Sequence, residues 1–300
     1  MKLAEFGQLI KTLRKTSLDE CGNPWTRASL SRAIHLTQDQ LGRLERGDRK
    51  YLDTQTLNLL TKAFKLTNLE KREFLYAATS LGDERLFENE DPESHLNKLM
   101  CEMEKLQVPA LLIDAYSDIV AINKAALNLF LVTPELLNYL RQVPAGQNLI
   151  NLLYSPAFGS KEIFGSFWRR VATVEILLFR RSTLRYRHTD YFDYIYKILT
   201  ANIQFDIDWY SSQRNADHYD LTYEHFNYNH PRYGPLSYLA SETIINSSKG
   251  ELYMLVYNPT NSVTSSVFRK LVGVNSNEVY NTAAWPDKVI PSNDSNEQTF

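Results

Sequence analysis

The sequence predicts two domains, an all-α head in the first 80 residues and an α+β domain whose antiparallel sheet is covered by helices. Three observations support this prediction. A chain of 300 residues is long enough for two ordinary domains. Apolar residues recur at helical spacing through the head. Beyond residue 108, strand-like runs come first, helical runs follow, and alternating runs come last.

Within the head, the stretch TRASLSRAIHLTQDQLGRLERG from Thr26 to Gly47 predicts two short helices joined by a tight turn. Thr26 and Thr37 suit helix N-caps, and Gly47 suits the position just past a helix end. The apolar side chains at helical spacing are Ala28, Leu30, Ala33, Ile34, Leu41 and Leu44. Polar side chains at the start of the second helix favour a helix-turn-helix that contacts DNA bases. The turn by itself also fits a small helical domain that binds no DNA.

The residues around this motif continue the helical pattern. Phe6–Arg14 predicts a first helix, and Thr54–Phe64 and Leu69–Ala78 predict two later ones. The motif ends on a leucine-glutamate-x-glycine signature at Leu44–Gly47. With that signature, residues 1–80 resemble the five-helix head of the phage-repressor/XRE family. The resemblance implies that a homodimer binds double-stranded DNA at two half-sites about one helical turn apart.

Individual contacts follow from the resemblance, position by position. Gln38, Asp39 and Arg43 match the residues that face bases in that family. Arg43 would pair with a guanine and Gln38 with an adenine edge, while Asp39 would accept a hydrogen bond from cytosine or only orient Arg43. The predicted phosphate contacts are Arg27, Thr37, Arg46, Arg49 and Lys50. Arg27 departs from the family, because many members have a glutamine at that place.

Charge is distributed unevenly along the chain. Residues 1–80 contain 14 Lys and Arg against 9 Asp and Glu, a net charge of +5, and the remainder carries −7. A basic head on an acidic remainder favours a nucleic-acid contact confined to one end of the molecule. A surplus of five charges is modest, so dimerisation or specific contacts would have to add affinity.

Other function classes find little support in the sequence. Cys21 and Cys101 have no metal or redox spacing, and six histidines form no zinc motif, so no cofactor is indicated. The chain has no nucleophile elbow, P-loop or dinucleotide fingerprint, which argues against an enzyme. No run of 18 apolar residues and no secretory leader is present. We therefore expect a cytoplasmic protein with no membrane partner.

Beyond the head, composition predicts three segments. Residues 81–95 form an acidic linker, residues 96–271 the α+β domain, and residues 272–300 a polar tail expected to be disordered. Helices are expected between residues 124 and 203. The predicted strands are Ala110–Asp114, Ile119–Asn123, Leu221–Asn229, Leu236–Asn246 and Glu251–Asn258.

Three stretches of the second domain resemble the MmyB-like ligand-binding domain that follows an XRE head in many bacterial regulators. They are VPALLIDAYSDIVAINKAALNLF from Val108, LLFRRSTLRYR from Leu177 and NHPRYGPL from Asn229. The residues that carry the resemblance are Asp114, Asn123, Arg180, His230–Pro231 and Gly234–Pro235. The resemblance implies a PAS-like fold with an internal cavity. It also implies a bound fatty acid or a similar amphiphile.

Four residues are candidates for ligand binding: Trp168, Arg180, Trp209 and His230. The Arg180 guanidinium would match a carboxylate head group, but arginines in this region more often belong to a solvated helix face paired with acidic residues. Core packing is the more common role for the two tryptophans, and a turn position for the histidine. The sequence therefore predicts a DNA-binding transcription regulator that senses a small apolar or fatty-acid-like ligand. The alternative is a DNA-binding protein whose second domain only dimerises or docks another protein. A lipid- or nucleotide-modifying enzyme is a weaker third hypothesis.

Overall fold

Two compact units make up the chain, and each is described by itself. The computed structural model describes residues 1–48, 52–79, 91–215, 225–247, 249–273 and 277–291. Unit 1 comprises Met1–Glu88, Thr173–Asp193 and Ile203–Asp220. Unit 2 comprises Asn89–Ala172, Tyr194–Asn202 and Leu221–Phe300.

Unit 1 begins with five helices, which confirms the all-α N-terminal region. They are α1 (Leu3–Thr16), α2 (Arg27–Ala33), α3 (Gln38–Glu45), α4 (Thr54–Ala63) and α5 (Asn68–Thr79). Their apolar residues at helical spacing pack into one core, which includes Phe6, Leu9, Leu13, Leu30, Ile34, Leu41, Leu44, Leu60, Phe64 and Phe74. The predicted apolar position Ala33 is exposed at the end of α2. Burial of one apolar face per helix is what stabilises helices as short as α2 and α3.

The ends of the short helices are fixed by local hydrogen bonds. Thr26 accepts from the Ser29 amide at 3.0 Å, and Thr37 accepts from the Gln40 amide at 3.1 Å. Both predicted caps are therefore confirmed. His35 in the turn has φ 57° and Gly47 after α3 has φ 77°, which is the left-handed conformation that a sharp change of direction requires.

Helix α1 meets the end of α3 at backbone contact distance. A Cβ atom on Gly7 would lie 2.7 Å from the carbonyl oxygens of Leu44 and Glu45. A Cβ atom on Gly47 would lie 2.8 Å from the backbone of Ala4. Only glycine fits at these two positions, so the glycines fix how closely α1 supports the helix-turn-helix.

Unit 1 also contains two segments from much later in the chain, Thr173–Asp193 and Ile203–Asp220. Three helices run through or into these segments: α11 (Trp168–Thr183), α12 (Asp190–Thr200) and α13 (Ile203–Asn215). Leu184, which follows α11, is fully buried in the same core as Phe6 and Phe74. The predicted head of residues 1–80 therefore folds with residues about 100 positions away, a pairing that local periodicity does not encode.

Unit 2 is built on a six-stranded antiparallel sheet with the order β3-β4-β5-β1-β2-β6. The strands are β1 (Ala110–Asp114), β2 (Ile119–Asn123), β3 (His225–His230), β4 (Gly234–Ser247), β5 (Gly250–Pro259) and β6 (Val279–Asn281). The register between β1 and β5 places Leu112 opposite Met254. Every residue of β1 and β2 is buried, so both faces of the sheet centre are covered. The predicted α+β class is confirmed.

The remaining helices of unit 2 are α6 (Pro92–Lys105), α7 (Lys124–Leu129), α8 (Pro134–Gln142), α9 (Leu149–Tyr154), α10 (Ser160–Phe164) and α14 (Ser262–Val272). Of these, α6, α7, α10 and α14 contact strands of the sheet. Helix α6 begins inside the predicted linker, because Asp91 caps its start and Pro92 occupies its first turn. Among the described residues, no helix is both long and apolar enough to cross a membrane.

The C-terminal residues that the structure describes are ordered, which corrects the predicted disordered tail. Strand β6 pairs with β2, and the amides of Thr282 and Ala283 donate to Val120 and Ile119 at 2.8 and 3.0 Å. Asn277 donates to the Leu106 carbonyl at 2.7 Å. A polar sequence is suited to this position, because β6 is itself an edge strand of the sheet and is partly exposed. Residues 292–300 lie outside the described residues.

Lys288 anchors this segment to two buried carboxylates. Its Nζ donates to Asp118 at 2.8 Å and forms a second ion pair with Asp114. The pKa of Asp114 is raised to about 6, because burial and the charge of Asp118 together outweigh the lowering effect of Lys288. Asp114, one of the residues that carry the family resemblance, therefore has a structural cation partner in Lys288.

Substitution of Gly7 by alanine is expected to destabilise the N-terminal helices by about 1–3 kcal/mol, because the new methyl group has no space against the backbone of α3. Helix propensity by itself would favour alanine by about 1 kcal/mol. Gly42→Ala is the matched control, since only the side chains of Arg46 and Arg27 lie within 4 Å of its Cβ position. Thermal unfolding of the full chain distinguishes the two, and a Gly7→Ala protein as stable as the Gly42→Ala protein would contradict the close packing.

Candidate functional site

The predicted base-contacting residues lie together on the exposed side of α3. Gln38, Asp39 and Arg43 are all exposed, while Leu41 and Leu44 on the opposite side are buried. Asp39 and Arg43 are four residues apart and therefore share one face of the helix. The arrangement presents an amide, a carboxylate and a guanidinium outward from a helix whose other face is fixed in the core.

The start of α3 is closed by a reciprocal pair of hydrogen bonds. Gln40 Oε1 accepts from the Thr37 amide at 2.8 Å, and Thr37 Oγ1 accepts from the Gln40 amide at 3.1 Å. This capping box leaves the hydroxyl hydrogen of Thr37 available to an anion next to the helix start. The glutamine was given no role by sequence reasoning, and its role here is structural.

A buried carboxylate at the end of α3 binds two arginines. Glu45 is 2% exposed, and it pairs with Arg14 of α1 at 2.5 Å and with Arg27 of α2 at 2.7 Å. Burial raises the pKa of Glu45, but the hydrogen bonds and charges of Arg14 and Arg27 outweigh burial and hold the pKa below its usual range. One carboxylate thus ties the first three helices together. Sequence reasoning noted this glutamate only as part of the family signature.

The predicted phosphate contacts Arg27 and Arg46 converge beside a glycine. A Cβ atom on Gly42 would lie 3.5 Å from Arg46 Nη1 and 3.9 Å from Arg27 Cζ. Arg46 also pairs with Asp48 at 2.8 Å, and both side chains are largely exposed. Two guanidinium groups therefore lie close together beside α3, and each also pairs with a carboxylate of the head. Arg49 and Lys50 lie outside the described residues.

A second buried carboxylate, Glu70 of α5, binds two arginines from the later segment of unit 1. Glu70 is 0% and Arg180 1% exposed, and their side chains pair at 2.9 Å, while Arg187 pairs with the same carboxylate oxygen. Burial raises the pKa of Glu70, and the charges of the two arginines outweigh burial and lower it. Arg180 was predicted to meet a ligand carboxylate, and the carboxylate it meets is this one.

Trp209 of α13 completes that group, which we name the Glu70 cluster (Glu70, Arg180, Arg187 and Trp209). Its indole ring lies 4.3 Å from Arg180 Cζ and 5.1 Å from Arg187 Cζ. Arg180 Nη1 also donates to the Trp209 carbonyl at 3.0 Å. The structure thus brings two of the four predicted ligand-binding residues together, around a carboxylate of the protein itself.

The other two predicted ligand-binding residues, Trp168 and His230, lie in unit 2 in separate surroundings. Trp168 donates to the Leu153 carbonyl at 3.0 Å and packs edge-on against Tyr154. His230 is 2% exposed, and its Nδ1 accepts from the Arg232 amide at 3.0 Å, so it stabilises the turn between β3 and β4. Its Nε2 faces the Asn128 carbonyl at 3.4 Å, which makes Nε2 the protonated nitrogen.

Tyr228, which sequence reasoning did not single out, lies beside His230 in an apolar cluster. The two rings are 5.6 Å apart on the same face of β3. Apolar neighbours include Leu236, Tyr238, Phe268 and Leu271. Within the described residues the Tyr228 hydroxyl is buried without a hydrogen-bond partner, and burial raises its pKa. A buried hydroxyl in apolar surroundings is a candidate contact for the polar end of a ligand.

No group of three His, Cys, Asp or Glu side chains in the described ranges is arranged to hold a metal ion.

The family model of the MmyB-like transcription regulator ligand binding domain matches residues 93–271, more than half of the chain. No curated protein matches the chain. The matched span includes α6, strands β1 to β5 and the arginines of the Glu70 cluster, and it ends before β6 and Lys288.

Glu45→Gln is expected to lower the free energy of unfolding by about 3 kcal/mol at pH 7, because Arg14 would keep its charge without its buried partner. The folded pKa of Glu45 is lowered, so its stabilising effect is present above about pH 5 and is lost as the pH falls through that folded value. Urea unfolding should therefore show a difference from the unsubstituted protein that shrinks at pH 3. Asp48→Asn, in an exposed pair, is the control and should change stability by less than about 1 kcal/mol. An equal effect of both substitutions would contradict the role of Glu45.

Proposed function

Because the chain belongs to the family of MmyB-like transcription regulator ligand-binding domains, we propose that it is a sequence-specific DNA-binding transcription regulator controlled by a small ligand. The observation that carries the DNA-binding half is the exposed row of Gln38, Asp39 and Arg43 on a helix whose opposite face is buried. Such a helix enters the major groove by its N-terminal end, and its exposed side chains meet base edges there.

Specificity would come from the exposed face of α3. Arg43 donates two hydrogen bonds to guanine O6 and N7, and Gln38 pairs with the edge of an adenine. Asp39 lies one turn before Arg43, where it either orients the guanidinium or accepts from a cytosine amino group. Glu45 supports this face indirectly, since it holds the end of α3 against α1 and α2.

Affinity would come from phosphate contacts beside the same helix. Arg27 and Arg46 converge over Gly42, and the Thr37 hydroxyl can donate at the helix start. Arg49 and Lys50 are proposed to extend this contact on sequence grounds. These interactions position the head and depend on salt, because each one releases counterions from DNA. A homodimer on two half-sites would double the modest charge of one head.

The second domain would bind an apolar or fatty-acid-like molecule. The family supports a ligand, and the apolar cluster around Tyr228 offers a buried hydroxyl without a partner among the described residues. We place the polar end of the ligand near Tyr228 and His230, and not at Arg180, whose guanidinium binds Glu70. Trp168 remains a proposed contact for the apolar part. No catalytic role is proposed for any residue.

One observation favours the alternative, in which the family-matched region docks a protein. Helix α13 lies within that region, although it packs in unit 1. Ile203, Ile207 and Tyr210 on α13 are 77%, 53% and 48% exposed. They recur at positions i, i+4 and i+7, so they form one apolar stripe along the helix. An exposed apolar stripe is typical of a protein-protein contact.

Arg43→Ala is expected to weaken binding to the specific DNA site by about 1–3 kcal/mol, because a bidentate base contact is lost. Affinity for unrelated duplexes should fall much less. Fluorescence anisotropy with a selected site and a scrambled duplex at fixed salt measures both values.

Arg46→Ala is the comparison for that experiment, since Arg46 is proposed to contact phosphate. It should weaken binding to both duplexes alike and reduce the dependence on salt. If Arg43→Ala binds the selected site as tightly as the unsubstituted protein, the assignment of Arg43 is wrong.

Native mass spectrometry of the purified full chain is expected to show a bound small molecule that denaturation releases. Tyr228→Phe should reduce its occupancy severalfold, because the polar end of the ligand loses its hydrogen bond. Tyr139→Phe changes an exposed tyrosine in the same way and serves as the control. A protein that carries no ligand and binds none from added fatty acids would favour the protein-docking alternative.

A further inference from the structure

The chain connects the two units through continuous helices. Helix α11 starts in unit 2 at Trp168 and ends in unit 1 at Thr183, and α12 starts in unit 1 at Asp190 and ends in unit 2 at Thr200. A helix keeps its hydrogen bonds only if it moves as a whole, so a rotation or shift at one end reaches the other. Any rearrangement of unit 2 that moves α11 therefore displaces Arg180.

Acidic residues of α5 bind the arginines that such a movement would displace. Glu70 binds Arg180 and Arg187, and Glu73 binds Arg185. The Arg185 guanidinium also lies 4.8 Å from the ring of Tyr76. Glu70, Glu73 and Tyr76 are spaced by three residues and therefore lie along one side of α5.

The Glu70 cluster leaves little freedom for intermediate positions. Its carboxylate is fully buried, so separation of the arginines would leave the charge away from water with the Thr67 amide, at 2.7 Å, as its remaining hydrogen-bond donor. The Arg187 side chain also donates to the Arg180 carbonyl at 3.0 Å, which ties the two arginines to each other. The shared carboxylate and this link favour formation or loss of the cluster as a whole, and two discrete states are what a switch requires.

We propose that the Glu70 cluster is the coupling element through which the ligand-binding domain controls the DNA-binding head. The proposal rests on the function given above, because it assumes that α3 binds DNA. When the cluster is formed, α5 and residues 173–193 behave as one structural unit with the head. When ligand-dependent movement of α11 breaks it, α5 loses that support, and the change reaches α3 through the core they share.

Hydrogen-deuterium exchange on the full chain tests the coupling, because a substitution on one side of the cluster should change the exchange rate on the other side. Arg187→Gln should speed exchange in α5 about tenfold or more, and Glu70→Gln should do the same in residues 173–183. The double variant should match either single variant, because the two residues belong to one interaction. Arg72→Gln removes an exposed arginine from α5 and should change neither segment.

Arg187→Lys keeps the charge without the planar fork and should give a smaller effect in a chain that remains folded. Strands β1 and β5 should exchange as in the unsubstituted protein in every variant. If each substitution speeds only its own segment, or neither segment changes, the coupling proposal is wrong.

A second arm adds a mixed-sequence DNA duplex at low salt. In the unsubstituted chain, DNA should slow exchange in α3 and also in residues 173–183, since coupling between sites is reciprocal. In Glu70→Gln, only α3 should be slowed. Protection of α3 without any change in residues 173–183 would overturn the coupling, whereas no protection of α3 would overturn the proposed DNA binding and leave the first arm to decide the coupling.

Discussion

A carboxylate without access to water has to find positive charge inside the protein, and Glu70 meets that requirement with two arginines from more than 100 residues away. This requirement determines where residues 173–193 lie on α5, and through Trp209 it also places α13. The sequence predicts that residues 1–80 form an independent five-helix domain. In the structure, unit 1 also contains two segments of the region that was predicted to form the second domain.

The same principle operates at Glu45, with a different consequence. Glu45 binds Arg14 and Arg27 within the head, so it links α1, α2 and α3 directly to one another. Helix α3, which we propose contacts DNA, is thus held by local charge pairs and close glycine contacts. Helix α5 is also held by charge pairs with arginines that are distant in sequence.

Local features of the fold were predictable from the sequence, because they depend on neighbouring residues. The caps at Thr26 and Thr37 and the positive φ at Gly47 follow from residue type and spacing. The partner of Arg180 was not predictable, since an arginine fork suits any carboxylate and spacing does not reveal which one is near. The order of residues 277–291 was missed for a related reason. A polar segment can still be ordered when its backbone pairs with the edge of a sheet, as Val279–Asn281 does with β2.

Strand β6 has a consequence for solubility. It covers the edge of β2, whose backbone groups would otherwise offer a template to a strand of another molecule. Lys288 closes the same region, since its single charge pairs with both Asp114 and Asp118. Both lie beyond residue 271, where the family match ends. A chain shortened to that boundary would therefore expose an apolar strand edge and two uncompensated acids, and self-association through β2 is the expected fate of such a fragment.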